Sequence, residues 1–321
     1  MGASLRLGKI FGIPIEINVS WIFAFGLMTY LSADLFGQYQ PTWPEIQKWG
    51  ISLVTSLLFS MSVLAHELTH SLMAERWGIP VQKITLFIFG GVSQLAYEAR
   101  RPMIEFTVSV VGPLSSVALS GVFAGLWLLF RDSFSVLSAV LFVLAWVNLG
   151  MGVFNLLPGF PLDGGRVMRS AVWGLTGSYW KATQIAALAG QFLGVSMIVA
   201  GIVLVVLTGG FQSAWMALIG TFLLSAATTS YRQEQEREKS KKYTVGQVMV
   251  ARWPVPATPV ILEGPHTAPS DTLFDAVERI ETLGASRIPV IKNGMIVGMI
   301  GLEQMLSLPD AKRSRRWISI R

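Results

Sequence analysis

The sequence lacks cysteine and carries little charge. Only 14% of its 321 residues are Asp, Glu, Lys or Arg, whereas a soluble domain carries roughly 25%. The absence of cysteine excludes disulfides and thiolate metal ligands and leaves the redox compartment undetermined. The net charge of +6 comes without a basic stripe or an RNA-binding motif, so we expect no nucleic-acid partner.

Apolar residues make up 52% of the chain, and the mean hydropathy is +0.54. They form long stretches between residues 17 and 231, whereas residues 232–321 have the composition of a soluble protein. A membrane-spanning helix must cross ~30 Å of hydrocarbon. The stretches that meet this length are residues 17–36, 50–75, 104–130, 134–157, 184–208 and 212–231. The pattern therefore predicts an α-helical polytopic membrane protein with six transmembrane helices.

A different pattern lies between the second and third of these helices. Residues 79–99 are apolar but short, β-branched and interrupted by Gly90-Gly91, which predicts two short strands around a glycine turn. Strands at membrane depth must lie against protein or a water-filled cavity. We therefore expect a short membrane-associated β element, with a hairpin on the cytoplasmic surface as the alternative.

The distribution of basic residues predicts the orientation in the membrane. Lys and Arg collect in alternate connections, at Arg6, Lys9, Arg76, Lys83, Arg100, Arg101, Arg166, Arg169, Lys181, Arg232, Arg237 and Lys239. The other connections contain only Lys48 and Arg131. Because basic loops remain in the cytoplasm, both termini are expected there, and the cell (inner) membrane is the expected location.

The C-terminal part is predicted to be a small cytoplasmic α/β domain. The expected division is a membrane domain at residues 1–231, a charged linker at 232–244 and the small domain at 245–321. In the last of these, the segment DTLFDAVERIETLG has helical spacing, with Asp271 as the expected N-terminal capping signal. RIPVI, Asn293-Gly294 and MIVGMI then form the pattern of a β-hairpin.

The second apolar stretch contains the motif HELTH, at residues 66–70. On a helix, residues four apart lie on one face, so His66 and His70 can bind the same metal ion. Glu67 projects beside that ion, where it can act on a water molecule. Three ionisable groups within a transmembrane helix are costly unless a partner offsets them. The motif therefore predicts a metal site.

The third protein ligand of a catalytic zinc site is expected to be a carboxylate, because cysteine is absent and the remaining histidine, His266, lies in the tail. The carboxylates on the same side of the membrane are Glu16, Glu75, Glu98, Glu105 and Asp163. Asp163 is the leading candidate, because it follows the apolar stretch FNLLPGFPL and precedes two glycines that let the backbone bend closely. Glu105 is the next candidate.

HELTH on the second helix and N-LLP-GFP-LDGG on the fourth resemble the paired signatures of the site-2 protease family of intramembrane zinc metalloproteases. The resemblance covers residues 1 to about 231. It implies that His66, His70 and Asp163 bind one zinc ion per chain and that Glu67 is the catalytic base.

The same resemblance implies two substrate contacts. Asn155 is expected to contact the substrate or the reacting carbonyl. Gly90 and Gly91 match the glycine pair of the family's membrane-embedded β element. We expect a strand edge within residues 84–95 to bind an extended stretch of a single-span membrane protein by β-augmentation.

The tail resembles one cystathionine-β-synthase-type (CBS) repeat. Such repeats usually bind adenine nucleotides in pairs, and one repeat is found here. The Ser/Thr and Asp expected after the last strand are replaced by Gly301 and Gln304, which argues against nucleotide binding. A structural or dimerising role remains.

Two other functions are alternatives to an intramembrane protease. A membrane zinc transporter with a regulatory tail would also carry His and Asp in its helices. It does not explain Glu67 between the histidines, and the membrane half contains no internal repeat of the transporter type. A catalytically inactive scaffold would not need intact HELTH and LDGG motifs.

Overall fold

The computed structural model describes residues 4–132, 135–209, 211–249, 265–283, 285–292 and 295–301. It divides into two compact units, Met1–Ser230 and Tyr231–Arg321. The helices that begin in the first unit are α1 Trp21–Tyr39, α2 Glu45–Arg76, α3 Pro102–Phe130, α4 Ser135–Asn155, α5 Asp163–Thr176, α6 Tyr179–Thr208 and α7 Phe211–Ser240. Helix α7 continues through most of the charged segment that follows the last apolar stretch.

Five helices of the described chain, α2, α3, α4, α6 and α7, are long and apolar enough to cross a membrane. The chain is thus a multi-pass membrane protein. The sequence predicts six spans, but α1 is not among the five. It begins only at Trp21, since the residues before it form a strand, and it carries Thr29, Ser32, Asp34 and Gln38 within its 19 residues.

A four-stranded sheet packs beside α2. Its strands are β1 Ser4–Ile10, β2 Ile13–Asn18, β3 Val81–Phe87 and β4 Gly90–Leu95, in that order across the sheet. Strands β1 and β2 are antiparallel, β2 and β3 are parallel, and β3 and β4 are antiparallel. The sequence predicts only the β3–β4 hairpin. It misses β1 and β2. These strands are formed by the polar N-terminal segment and by the first residues of the first predicted helix.

The glycine pair does not form the hairpin turn. Ile88 and Phe89 occupy the turn, and Gly90 and Gly91 are the first residues of β4. The prediction of a glycine turn was therefore wrong. The pair is needed elsewhere, because Gly90 has a φ of 129°, a conformation that favours glycine, and Gly91 lies against α2.

Helix α2 is at the centre of the first unit. On one side the sheet packs on it through Ile13, Ile15 and Ile84, which contact Leu64 and Leu68. On the other sides, α2 packs against α1, α3 and α4. Because α2 contacts both the sheet and α3, its successive faces meet different elements.

Helices α3 and α5 are joined by a buried ion pair. The guanidinium of Arg169 donates through Nε to Glu105 Oε1 at 2.7 Å, and also through Nη2. The guanidinium also lies over the rings of Phe160 and Tyr179, at 4.9 and 4.6 Å from their centroids. The sequence gives no sign of α5 as a separate helix, because its 14 residues are too short and too polar for a span.

The second unit contains α8 Val245–Val248, α9 Leu273–Thr282, β5 Arg287–Lys292 and β6 Met295–Gly301. Strands β5 and β6 are antiparallel, as the hairpin pattern predicts. Its predicted turn at Asn293-Gly294 lies outside the described residues, as does Gln304. The core is formed by Val245, Leu273, Ala276, Ile280, Ile288, Val290 and Ile300.

The start of α9 differs from the prediction. Thr272 caps the helix, since its Oγ1 accepts a hydrogen bond from the Asp275 amide at 3.1 Å. Asp271 instead turns back and accepts from the Ala268 amide at 3.0 Å and from Thr267 Oγ1 at 2.9 Å. Asp271 therefore closes the preceding turn and does not cap the helix.

Candidate metal centre

The histidines of the motif lie one turn apart on α2 and are both buried, with 3% and 4% of their surfaces exposed. They face α3 and the start of α5. Asp163, the first residue of α5, meets them there. Its position at a helix N-terminus favours the charged carboxylate, because the backbone amides at that end carry partial positive charge.

The three ligand atoms form an even triangle. His66 Nε2 and His70 Nε2 are 3.1 Å apart, and each is 3.1 Å from Asp163 Oδ2. These residues are the one group in the described part of the chain with metal-binding spacing. The structure thus brings together the three residues that the resemblance implies.

The hydrogen bonds of the two Nδ1 atoms show which ring nitrogens carry a proton. His70 Nδ1 lies 2.6 Å from the carbonyl oxygen of Val108, which can only accept, so Nδ1 carries the proton. His66 Nδ1 lies 2.8 Å from Ser116 Oγ, and that hydroxyl donates to the Gly112 carbonyl oxygen. In neutral imidazoles, both Nε2 atoms therefore present lone pairs to the carboxylate.

Three acceptors turned toward one another fit a bound cation. Atoms that bind a single ion at roughly 2.0–2.2 Å in a tetrahedral arrangement are roughly 3.3–3.6 Å apart, close to the 3.1 Å spacing of His66, His70 and Asp163. Hydrogen bonds to the second ring nitrogen are also the usual way in which proteins orient metal-binding histidines. Two imidazoles with one carboxylate suit zinc.

Gly112 leaves the space that this site needs. A Cβ atom there would lie 2.0 Å from His70 Nε2 and 2.8 Å from His66 Nε2. Small residues at four-residue spacing, such as Gly112, Ser116 and Ser120 on α3, usually let a neighbouring helix pack closely. Ser120 does so, by donating to the Ala145 carbonyl oxygen at 2.7 Å. Gly112 and Ser116, however, line the metal site.

Glu67 lies on the neighbouring face of α2, toward the sheet. Its Oε2 accepts a hydrogen bond from Ser93 Oγ of β4 at 2.8 Å. The backbone of Gly91 lies so close that a Cβ atom there would be 2.3 Å from Glu67 Cγ. Sequence reasoning missed Ser93, since a lone serine in a strand carries no signal of its own.

The loop before Asp163 is held by close backbone contacts. A Cβ at Gly164 would lie 2.2 Å from the Leu156 carbonyl oxygen, and one at Gly165 would lie 2.4 Å from the Gly159 carbonyl carbon. Gly190 of α6 lies equally close to Phe160. Gly164 and Gly165 lie in the first turn of α5, so the chain does not bend at these glycines as the sequence suggests. Their lack of a side chain instead lets α5 pack closely against the preceding loop, with Asp163 at the histidines.

The other predicted site residues lie elsewhere. Glu105 binds Arg169, and Glu16 accepts from Lys83 Nζ at 2.7 Å, so both carboxylates are already paired. Asn155 is the last residue of α4, and its amide donates to the Met151 carbonyl oxygen at 3.0 Å. His266 in the tail is exposed.

The fold and the site define a class of protein. Two imidazoles and a carboxylate converge beside a glutamate on a long apolar helix, which is the arrangement of a metallopeptidase inside a multi-pass membrane protein. The model of peptidase family M50 matches residues 54–135 and 131–199 of the chain.

Known proteins agree with this class. The chain is 38% identical over 260 residues to sll0528 of Synechocystis sp., covering 79% of this chain and 67% of that protein. It is 33% identical over 325 residues to Rip3 of Mycobacterium tuberculosis, covering 98% and 78%. Both relatives bear the description zinc metalloprotease. The chain therefore belongs to peptidase family M50.

A solved structure supports the fold. The site-2 protease from Methanocaldococcus jannaschii matches with a TM-score of 0.51 at 29% sequence identity, over 71% of this chain and 95% of that one. The described helices and the small sheet thus follow the site-2 protease fold.

Proposed function

We propose that the protein is an intramembrane zinc metalloprotease that hydrolyses peptide bonds in or near the transmembrane segments of single-span membrane proteins. The observation that carries this proposal is the triangle of His66 Nε2, His70 Nε2 and Asp163 Oδ2, with sides of 3.1 Å, with Glu67 on the adjoining face of the same helix. These three residues hold one zinc ion.

The ion supplies Lewis-acid chemistry and makes water acidic enough to be deprotonated near neutral pH. Glu67 takes a proton from the attacking water as the water oxygen bonds to the peptide carbonyl carbon. Glu67 then returns that proton to the amine nitrogen as the carbon–nitrogen bond breaks. Asn155 contacts the substrate near the reacting carbonyl.

The substrate must present an extended backbone, because the carbonyls of a helix are hidden in hydrogen bonds. Strand β3 pairs on both of its sides, with β2 and β4, whereas β4 pairs only with β3 among the described strands. The substrate edge expected within residues 84–95 is therefore β4, which contains Gly90 and Gly91.

Proline substitutions along β4 test this edge. A proline removes one backbone N–H, and alternate N–H groups of a strand point to opposite sides. Binding of uncleaved substrate to the Glu67→Gln variant should therefore weaken with a period of two from Gly91 to Gln94, a readout that does not depend on the contacts of Gly91 and Ser93 with Glu67. A uniform response along the strand would contradict substrate binding at this edge.

Glu67→Gln tests the catalytic role. General acid–base catalysis contributes roughly 10²- to 10⁴-fold, so we expect a loss of cleavage of that size with unchanged zinc content. Glu75→Gln is the matched control, since Glu75 lies on the same helix and is exposed. Equal cleavage by Glu67→Gln and wild type would refute the proposal. Zinc flux into liposomes that depends on Glu67 would support the transporter.

The proposal includes the topology. All six apolar helices, with α1 counted, cross the cell membrane, and both termini are cytoplasmic. Because the chain has no cysteine, single cysteines at Gln47 and Ser240 report the two sides directly. Labelling of both from the same side would contradict this orientation.

The C-terminal unit is proposed to be a CBS-like repeat that pairs with a second copy of the chain. Its helix, hairpin and apolar core at Leu273, Ile280 and Val290 support this. The mass of the purified protein should correspond to a dimer and fall to a monomer when residues 245–321 are removed. A change of mass on addition of ATP or AMP would instead favour nucleotide binding.

A further inference from the structure

Glu67 is held by a chain of hydroxyl groups. Ser93 Oγ donates to Glu67 Oε2 at 2.8 Å and lies 3.3 Å from the Glu67 carbonyl oxygen. Ser71 Oγ, one turn further along α2, donates to Ser93 Oγ at 3.1 Å. A hydroxyl has a single hydrogen, and the shorter contact with the charged oxygen is the stronger one. Ser71 thereby directs the Ser93 hydrogen toward the carboxylate.

The same strand also contacts the stem of Glu67. Residues two apart lie on the same face of a strand, so Gly91 and Ser93 face α2 together. A Cβ at Gly91 would be 2.3 Å from Glu67 Cγ and 3.0 Å from Oε1. The Gly91 backbone thus limits the side chain, while Ser93 holds one oxygen of its carboxylate.

This restraint has a consequence for catalysis. A free glutamate side chain has three rotatable bonds, whereas a general base must lie within hydrogen-bond reach of the proton it takes. Because Oε2 is occupied by Ser93, Oε1 is the oxygen left for proton transfer. A displacement of about 1 Å can lower a rate by roughly 10²-fold.

We propose that Ser93 is a positioning residue for Glu67, and that Ser71 orients the Ser93 hydroxyl for this task. The inference rests on the proposed function and extends it. The strand that presents the substrate edge also holds the general base. Strand β4 therefore fixes the position of the substrate relative to the general base.

Ser93→Ala tests the inference through steady-state kinetics. The kcat should fall about ten- to a hundredfold, while KM and zinc content stay close to those of the wild type. Ser93→Thr keeps the hydroxyl and should recover most of the activity. Ser60→Ala is the control, because Ser60 lies on α2 but donates to the Ser56 carbonyl oxygen. An unchanged kcat in Ser93→Ala would overturn the inference.

A double-mutant cycle separates positioning from general damage. The shorter carboxylate of Glu67→Asp no longer reaches Ser93, so adding Ser93→Ala to this variant should cost little more. If Ser93→Ala costs the same factor in both backgrounds, Ser93 acts independently of Glu67 and the inference is wrong.

A failure of the proposed function can be distinguished from a failure of the inference about Ser93. If Glu67→Gln cleaves as fast as the wild type, the proposed function and the role of Ser93 are both overturned. If Glu67→Gln is inactive and Ser93→Ala has the kcat of the wild type, only the inference about Ser93 is overturned.

Discussion

At the scale of residues, one stretch of α2 supplies two kinds of chemistry. His66 and His70 point to α3 and α5, whereas Glu67 and Ser71, each one position later, face β4. Adjacent positions on a helix lie about 100° apart, so they meet different neighbours. The motif alone predicts the two histidine ligands and the base. It does not predict Ser93, which lies on the opposing strand.

Gly112 should be intolerant of any side chain. A methyl group at this position would enter the space between the two imidazoles, so Gly112→Ala should lose zinc and cleavage together. Gly121→Ala on the same helix is the control, since nothing lies within 4 Å of its Cβ position. Metal analysis of the purified variants checks this, and normal zinc content in Gly112→Ala would contradict it.

Ser116 should tune the affinity for zinc. Its hydroxyl accepts from His66 Nδ1 at 2.8 Å, and loss of such a partner typically costs roughly 10- to 100-fold in metal affinity. Ser116→Ala should therefore lose zinc at a lower chelator concentration than the wild type. Ser120→Ala, one turn away and bonded to α4, should behave as the wild type does. Equal chelator sensitivity in both variants would refute this role.

At the scale of elements, α5 is the helix that completes the candidate metal site. Asp163 is the first residue of α5. Arg169 of the same helix binds the Glu105 carboxylate of α3, and Glu105 is only 1% exposed. The same ion pair thus fixes the direction in which the helix presents Asp163. Charged residues buried in this way are strongly coupled, because removal of one leaves the other without its closest partner.

Arg169→Met should destabilise the membrane unit. Loss of one partner of a buried pair costs about 3–5 kcal/mol, and the shift of α5 should also reduce cleavage. The double variant Arg169→Met/Glu105→Leu should recover stability, since the buried carboxylate is then removed as well, and Arg166, 4.0 Å from Glu105 Oε1, is partly exposed. Lys181→Met, at an exposed position on α6, is the control. Thermal unfolding in detergent measures the difference, and a double variant less stable than Arg169→Met would contradict this account.

In the second unit, the turn closed by Asp271 should weaken in acid. The Ala268 amide, Thr267 and Arg279 favour the charged form of Asp271 and lower its pKa. A carboxylate with a lowered pKa stabilises the fold above its unfolded pKa, roughly 3.9, and this contribution is lost as the pH falls through the folded pKa.

Hydrogen exchange of the Ala268 amide reports this change. After correction for the intrinsic rate, its protection should fall below about pH 4 in the wild type. Asp271→Asn should already show reduced protection at neutral pH and little further change in acid. The same protection in both proteins across this range would contradict the role of Asp271.

At the scale of the whole molecule, the apolar helices enclose a polar site and turn apolar side chains outward. Phe192, Val199 and Val206 of α6 are 77%, 56% and 79% exposed, which suits contact with lipid. The site itself is surrounded by α2, α3 and α5. A scissile bond must therefore reach a metal centre that lies within the protein.

Removal of zinc should abolish cleavage reversibly. A chelator should inactivate the purified protein, and Zn²⁺ should restore activity, whereas Mg²⁺ should not, because imidazole ligands suit zinc and oxygen ligands suit magnesium. The Glu67→Gln variant should rebind zinc to the same extent without recovering cleavage. Full activity in metal-free protein would refute a metalloprotease.

The amino-acid sequence by itself determined the membrane class, the metal-binding motif and Asp163 as the leading third ligand. These follow from local properties, since apolar length, the spacing of two histidines on a helix and a carboxylate in an apolar stretch are all visible along the chain. The sequence did not determine β1 and β2, α5, or the roles of Gly112, Ser116 and Ser93. Those features depend on which elements lie side by side, and the packing of α3, α5 and β4 around α2 is a property of the tertiary structure.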